Sequence, residues 1–302
     1  MRKDNFLSLQ KTTQDLCLPV TYSKINNCII NNKYKAILKQ HQLDTFDSLF
    51  RFKGGEAAKV LKERSVIRFE IKNRDADKTF YLKRHNLSFA GVKRLISLFF
   101  PNMAVSEGIR EFENICVFRR KNLATVVPVA AGEKFVNFFW VEGFLLTEDF
   151  FPFISLEDFI GKKPNFFKGK EGREKKQKLL KEIAVFARRM HKQGFNHRDF
   201  NATHILVKYN DSDQRPELAV FDLQRVDKSR LLKFRWIIKS LARVNYSLPN
   251  NLFKARDIIY LFMSYKGKKK INFFDRCQWF WINRKTWKIK KHTEKIMKST
   301  IK

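Results

Sequence analysis

The stretch that most constrains this 302-residue chain lies past its middle, where an amphipathic helix runs directly into a polar, acidic segment and then into two apolar strands. Leu179, Ile183, Phe186, Ala187 and Met190 recur at helical spacing and form one apolar face. Arg188, Arg189 and Lys192 fall near the C-terminal end, where cations complement the helix dipole, and Gly194 can terminate the helix. Next come Phe195-Asn196-His197-Arg198-Asp199-Phe200-Asn201-Ala202-Thr203-His204, the short strand Ile205-Leu206-Val207, a polar turn through Asn210-Asp211-Ser212-Asp213, and a second strand, Leu218-Ala219-Val220-Phe221. Asp222 follows that second strand. The pattern predicts two acidic residues, Asp199 and Asp222, presented at opposite ends of a small hairpin held against a helical core.

Upstream, three runs have strand character: Ala57 to Leu61, Val66 to Ile71 and Thr79 to Lys83. Polar turns, one of them Lys62-Glu63-Arg64-Ser65, separate them, so the segment predicts an antiparallel meander. After an apolar stretch, Val92 to Phe100, Pro101 and Asn102 break the chain, and Ser106 can cap a helix on which Ile109, Phe112 and Cys116 share a face. Strands at Ala124 to Ala130 and Gly143 to Thr147 then lead to an acidic-aromatic junction, Glu148 to Pro152, that fits a lobe boundary. The expected fold is α+β and bilobal, a small antiparallel-sheet N-lobe followed by a mostly helical C-lobe. Its divisions are an N-terminal extension of uncertain order (1–45), the N-lobe (46–150), a C-lobe with the hairpin (151–265) and a basic, aromatic tail (266–302).

Charge narrows the partners. Subtracting 30 acidic from 62 basic side chains leaves +32, which draws the chain toward polyanions: nucleic acid, an anionic membrane face or an acidic protein. The four cysteines, Cys17, Cys28, Cys116 and Cys277, contain no CxxC pair, so neither a zinc site nor a disulfide framework is suggested. The first residues lack an apolar leader and no stretch approaches the roughly 20 apolar residues of a spanning helix, so secretion is not expected and membrane contact should be peripheral.

Phosphoryl transfer needs positioning and charge neutralisation more than covalent help: a lysine on the phosphates, a carboxylate holding that lysine, a carboxylate near the attacking hydroxyl, and ligands for magnesium. This chain supplies each part in a workable order. Lys83 ends the strand Phe80-Tyr81-Leu82-Lys83 and resembles the phosphate lysine of kinases; Glu111, 28 residues on, sits on the following helix and can pair with it. His197-Arg198-Asp199 resembles the kinase catalytic-loop tripeptide, with Asp199 accepting the hydroxyl proton, and Asp222 stands where the magnesium aspartate stands. Plainer readings exist for each: Lys83 as one solvated lysine among many, Glu111 as a helix-surface residue beside Glu107 and Glu113, Asp199 and Asp222 as turn or cap residues. His197 reads as a packed support for the loop. The joint order of helix, loop, strand, turn and strand favours the chemical reading.

Beyond these parts, Phe195 to Asp199 through His204-Ile205-Leu206, Val220 to Arg225, Leu145 to Asp149 with Ile154 to Asp158, Arg68-Phe69-Glu70 and Tyr81-Leu82-Lys83 together resemble the lipopolysaccharide core heptose kinase family. The resemblance runs from about Phe46 to about Tyr265. It implies a protein-kinase-like fold and ATP-dependent phosphorylation of a heptose hydroxyl in the inner core of lipopolysaccharide, at the cytoplasmic face of the inner membrane. The acceptor would be a phosphorylated, carboxylated glycolipid among anionic lipids, which suits a basic surface. The resemblance also implies ATP and Mg²⁺ as cofactors and acyl carrier protein as an acidic partner, although no motif marks a site for the latter.

Three departures from ordinary kinases bear on the mechanism. The first-hairpin turn lacks glycines, leaving Arg64 or the Ser65 backbone to meet phosphates; Gly54 and Gly55 precede the first strand. The position five after Asp199, an asparagine metal ligand in protein kinases, is His204, with Asn201 as the fallback. Asp222-Leu223-Gln224 replaces Asp-Phe-Gly, so no glycine-hinged switch is expected. The tail from Lys266 to Lys302 carries 13 basic against two acidic residues, or +11, interleaved with Phe273, Phe274, Trp279, Phe280, Trp281 and Trp287. That mixture fits an interfacial membrane segment, a packed terminal helix or, less well, a nucleic-acid contact. Rival functions are a Kdo or other glycan kinase of the same superfamily, an RNA-directed kinase, and a non-catalytic pseudokinase that holds lipopolysaccharide or nucleic acid.

Overall fold

The computed structural model describes residues 12–61, 63–72, 77–88, 106–137, 140–209, 215–228 and 233–300. The apolar stretch Val92 to Phe100, the break at Pro101-Asn102, Lys62 and the turn Asn210 to Asp213 lie outside the described residues. The chain divides into two compact units, Met1–Phe151 and Pro152–Lys302.

The first unit is built on seven strands: β1 (Tyr22–Ile25), β2 (Cys28–Asn31), β3 (Glu56–Leu61), β4 (Arg64–Ile71), β5 (Lys78–Ser88), β6 (Pro128–Asn137) and β7 (Trp140–Glu148). They form one antiparallel sheet in the order β1-β2-β6-β7-β5-β4-β3. Side chains alternate across its faces. Ile67, Phe69 and Ile71 of β4 and Phe80 and Leu82 of β5 are buried in one core with Leu38 of α1 (Lys35–Gln40) and Leu49 of α2 (Phe46–Phe50). Lys83 therefore projects to the other face, toward α3 (Glu107–Arg120).

Two boundaries differ from the sequence reading here. Within the expected extension, the described residues from 12 to 45 are joined to the sheet, since β2 pairs with β6 in the register Ile29↔Ala131 and Cys28, Ile29 and Ile30 are buried. Arg119 of α3 adds a second tie: its guanidinium donates to the backbone carbonyls of Asp15, Leu16 and Leu18 at 2.7 to 2.9 Å. A short apolar run could not announce this, because its partner strand lies about a hundred residues later. The strand expected from Ala124 begins only at Pro128, while Ala124 and Val126 are buried just ahead of it.

The second unit contains α4 (Leu156–Lys162), α5 (Gly169–Lys192), α6 (Lys233–Ser247), α7 (Ala255–Lys266) and α8 (Phe273–Thr300). Leu179, Ile183, Ala184, Ala187 and Met190 of α5 are fully buried, which is the amphipathic face expressed as a core. Gly194 takes φ +83° just beyond the helix, a left-handed turn suited to glycine that sends the chain into β9 (Phe195–His197). Strands β8 (Ile154–Ser155), β10 (Ile205–Lys208) and β11 (Glu217–Val220) make a small sheet in the order β11-β10-β8, and β9 pairs with β12 (Val226–Lys228).

The tail is continuous with this unit. Lys266 ends α7 and holds Asp275 at 2.7 Å and Gln278 at 2.9 Å, Ile282 is buried, Trp279 packs on Phe262 at 5.4 Å, and Asn245 of α6 donates to Thr286. The opposite side of α8 leaves Phe273, Phe274, Phe280, Trp281 and Trp287 exposed. One face thus packs and the other does not.

Candidate active site

In the first unit the site is a pair. Lys83 Nζ donates to Glu111 Oε1 at 2.9 Å and Oε2 at 3.3 Å, with the Glu111 side chain almost fully buried. The helix that carries Glu111 is placed by small residues. Ser106 caps it, its Oγ accepting from the Ile109 N–H at 3.3 Å, an interaction typically worth about 1 kcal/mol. Gly108 lies against β7 so closely that a Cβ there would sit 2.3 Å from the Phe144 carbonyl oxygen, and a Cβ on Gly143 would meet the Ser106 side chain at 2.9 Å. Glu111 follows Gly108 by three residues and shares its face, so close packing of helix on sheet aims the carboxylate at β5. Of the three candidate glutamates, Glu111 meets Lys83, Glu113 is exposed, and Glu107 binds elsewhere.

Arg64 is that other partner. The sequence places it in the turn between the first two strands of the meander, but it opens β4 opposite His85, leaving only positions 62 and 63 between β3 and β4. Its Nη2 lies 2.5 Å from Glu107 Oε2, and His85 Nδ1 lies 3.4 Å from the same oxygen. The cation therefore ties β4 to the start of α3.

In the second unit, β9 and β12 pair in the register His197↔Val226, and β10 and β11 pair as Ile205↔Val220. Antiparallel pairing brings Asp199 and Asp222 to the same, open end of the hairpin, not to opposite ends. His197 fastens that end: its Nε2 donates to the Phe221 carbonyl at 3.1 Å and its Nδ1 accepts the Asp199 N–H at 3.3 Å. Both nitrogens are used by a neutral ring, and burial pushes the His197 pKa down to about 4. Asp222 sits at φ +60°, ψ +55°, a left-handed conformation that Asp tolerates but seldom adopts outside turns and functional sites.

His204 joins the two acids. Its Nδ1 lies 3.1 Å from both the Asp199 carbonyl and Asn201 Oδ1, and its Nε2 lies 3.4 Å from Asp222 Oδ2. A ring that donates through Nδ1 turns Nε2 toward a carboxylate, an arrangement complementary to a proton or cation between them. As a magnesium ligand an imidazole is a poor match, since that ion prefers oxygen, so Asp222 is the better donor of the two. No cluster of three or more His, Cys, Asp or Glu side chains able to cage a metal occurs among the described residues. The Asp199 carboxylate itself faces Arg225 at 3.4 Å and Arg243 at 4.0 Å.

Sequence reading did not find the polar chain that supports this loop from behind. Tyr265 of α7 meets His191 Nδ1 at 3.0 Å, His191 Nε2 meets Ser240 Oγ at 3.1 Å, and Ser240 donates to Asn196 Oδ1 at 2.9 Å. Asn196 then donates to Asp227 Oδ2 at 2.9 Å, and Arg198 closes on Asp227 with Nε at 2.8 Å and Nη2 at 2.6 Å. One tautomer, with the proton on Nε2, satisfies every member from Tyr265 to Arg198. Burial pushes the His191 pKa down to about 4, consistent with a neutral ring. Burial would raise the Asp227 pKa, but hydrogen bonds from Arg198 and Asn196 outweigh it and hold the carboxylate below its ordinary value. Three helices and two strands thereby hold the residues that lead into Asp199.

Residues 48–265 match the model of the lipopolysaccharide kinase (Kdo/WaaP) family. The chain belongs to that family. It is 31% identical over 208 residues to the lipopolysaccharide core heptose(I) kinase WaaP of Escherichia coli, covering 68% of this chain and 75% of the relative. WaaP of Pseudomonas aeruginosa is 25% identical over 221 residues, covering 70% and 76%. A solved structure of WaaP in complex with acyl carrier protein superposes with a TM-score of 0.64 at 22% identity, covering 86% of this chain and 98% of that one. The fold is protein-kinase-like, with an antiparallel N-terminal sheet and a helical C-terminal region. Membership of the Kdo/WaaP family implies an ATP-dependent phosphotransferase. No described helix is long and apolar enough to cross a membrane.

Proposed function

We propose that this chain transfers the γ-phosphate of ATP to a heptose hydroxyl of the lipopolysaccharide inner core. The reading is carried by one observation: each charged group that phosphoryl transfer requires is held in place by its surroundings, on a chain 31% identical to a heptose(I) kinase. Glu111 holds Lys83 extended, where its ammonium can neutralise phosphate oxygens. Asp199 orients the acceptor hydroxyl and takes its proton, and its backbone is fixed by His197 and His204. Asp222, steadied by His204, is the carboxylate available to a Mg²⁺ ion whose other ligands would be phosphates and water. Bound magnesium would neutralise charge on the transferring phosphate. Arg64 reaches the phosphates only by giving up Glu107, and the backbone near Asp149 is the proposed adenine contact.

The exposed basic and aromatic face of α8 supports a peripheral place on the anionic inner membrane, and the same positive charge supports acyl carrier protein as an acidic partner. The deciding experiment is phosphate transfer from ATP and magnesium to unphosphorylated heptose-containing core lipopolysaccharide, with a Kdo-only acceptor and Asp199→Ala in parallel. Transfer to heptose that vanishes in the variant is expected. Transfer to the Kdo-only acceptor would reassign the substrate, and lipopolysaccharide binding without transfer to either would make the chain a binding protein.

A further inference from the structure

Beside Asp199 the second unit contains a cavity of about 620 Å³ whose chemistry the transfer reaction does not by itself require. Six of its ten lining residues are basic, Arg198, Arg225, Lys228, Arg235, Lys239 and Arg243, and the only acidic one is Asp227, which Arg198 already occupies. Trp236, buried, contributes apolar lining. The cations come from three places: the loop before Asp199, the segment after Asp222, and successive turns of α6, where Arg235, Lys239 and Arg243 stand four residues apart on one face.

Like charges at that spacing repel. Burial lowers the Arg243 pKa and Arg225 and Arg198 lower it further, against Asp199, which raises it; burial lowers the Lys239 pKa, as do Arg235 and Lys285. Lys239 and Arg243 are partly buried and the other four cations are exposed around the same open space, a convergence of positive charge complementary to an anion with several oxygens. Guanidinium forks suit carboxylate and phosphate in particular. The cavity also has a direction. Arg225 and Arg243 line it and also face the Asp199 carboxylate, so whatever anion enters is held one guanidinium away from the proposed base.

We propose that this cavity is an anion subsite for the acceptor, taking a carboxylate or phosphate on a sugar adjacent to the one phosphorylated and so setting the acceptor hydroxyl at Asp199. The inference rests on the reading of Asp199 as the residue that meets the acceptor hydroxyl. It adds a reason for specificity: a neutral sugar offers these cations no opposite charge and would not be positioned by them.

The test uses the full chain and a delipidated Kdo-heptose core oligosaccharide, compared with the same oligosaccharide after reduction of its carboxylates to alcohols. Arg235→Gln/Lys239→Gln removes two cations that do not face Asp199, and Lys181→Gln/Lys192→Gln, on exposed α5 positions, removes the same charge elsewhere. Calorimetric titration should show binding weakened at least tenfold in the cavity variant and little changed in the control. Wild type should lose a similar factor toward the reduced oligosaccharide, whereas the cavity variant should hardly distinguish the two sugars. In turnover the loss should appear in KM for the acceptor, with kcat and affinity for a non-hydrolysable ATP analogue kept.

Equal binding by wild type and cavity variant, or undiminished discrimination in the variant, overturns the proposal. So does a matching loss of ATP-analogue affinity, which would make the cavity part of the nucleotide site. Inorganic phosphate that binds the wild type as tightly as the oligosaccharide would also overturn it, in favour of a free-phosphate site. If no sugar is phosphorylated but the binding difference persists, the kinase reading fails while the anion subsite stands.

Discussion

Lys83 Nζ and Glu111 Oε1 lie 2.9 Å apart, joining the interior strand β5 to α3, and the glutamate is only 1% exposed. A carboxylate so buried depends on its partner. Removing one member of a buried pair typically costs about 3 kcal/mol or more, because the remaining charge is left without compensation. Lys83→Met is therefore expected to lower stability by about that amount and to abolish transfer. Glu111→Gln keeps the shape and leaves uncompensated only the less buried member, Lys83, so it should lose less stability than Lys83→Met yet lose on the order of 10²-fold in turnover as Lys83 leaves its position. Turnover unchanged in Glu111→Gln would show that the pair serves the fold alone.

The position of Glu111 depends in turn on Gly108. A methyl group there would sit 2.3 Å from the Phe144 carbonyl oxygen, so α3 must move away from β7. Gly108→Ala is expected to destabilise the chain by about 1–3 kcal/mol. It should also lower turnover in the same sense as Glu111→Gln. Glu107→Ala is the contrast, since Glu107 meets only Arg64 and His85 among the ion pairs described and should change turnover far less. Thermal melts and turnover on the three variants would separate helix placement from helix charge; equal losses in Gly108→Ala and Glu107→Ala would defeat the argument.

These elements were legible in the sequence to very different degrees. Lys83, Glu111, Asp199 and Asp222 stand out because each is set in a local pattern, a strand, a helix face or a turn, although Lys83, expected at a strand end, lies in the middle of β5, which runs on to Ser88. Arg64 was misplaced because a two-residue turn looks like a four-residue one when its flanks are polar. Strands β1 and β2 were missed because their burial comes from pairing with β6, roughly a hundred residues on. The same holds for His191, Ser240 and Tyr265, which come from three helices and show no common motif, and for the cations of the cavity. In a chain with 62 basic residues, only three-dimensional placement distinguishes converging charges from solvated ones.

The buried histidines predict how stability responds to acid. Both His191 and His197 have native pKa values near 4 against an ordinary 6.5, lowered by burial. The unfolded chain thus takes up protons first, so their contribution is complete above about pH 6.5 and is lost as pH falls toward 4. Each residue should remove about 1.4 kcal/mol per pH unit in that window. Urea unfolding from pH 7.5 to 4.5 should show this decline, with a shallower slope in His191→Gln. A variant slope equal to that of wild type would mean that His191 is protonated in the native state.

The α8 helix makes the last prediction. Its packed side carries Asp275, Gln278 and Ile282, whereas Phe273, Phe280 and Trp287, seven residues apart, lie exposed on the opposite side. Arg284 lies 5.1 Å from the Trp281 ring and Lys291 5.0 Å from that of Trp287, so cations border the aromatic stripe. Aromatic insertion and attraction to anionic headgroups act together at a bilayer surface, and the second is screened by salt. Wild type should sediment with vesicles containing phosphatidylglycerol and not with pure phosphatidylcholine, and high salt should release it. Phe273→Ser/Phe280→Ser/Trp287→Ser removes no charge and leaves the packed side intact, yet should weaken vesicle binding at least tenfold, since each large aromatic buried in an apolar phase contributes about 1.5–3 kcal/mol. Unchanged vesicle binding in the triple variant, or tighter binding to single-stranded RNA than to anionic vesicles, would count against a membrane-facing α8.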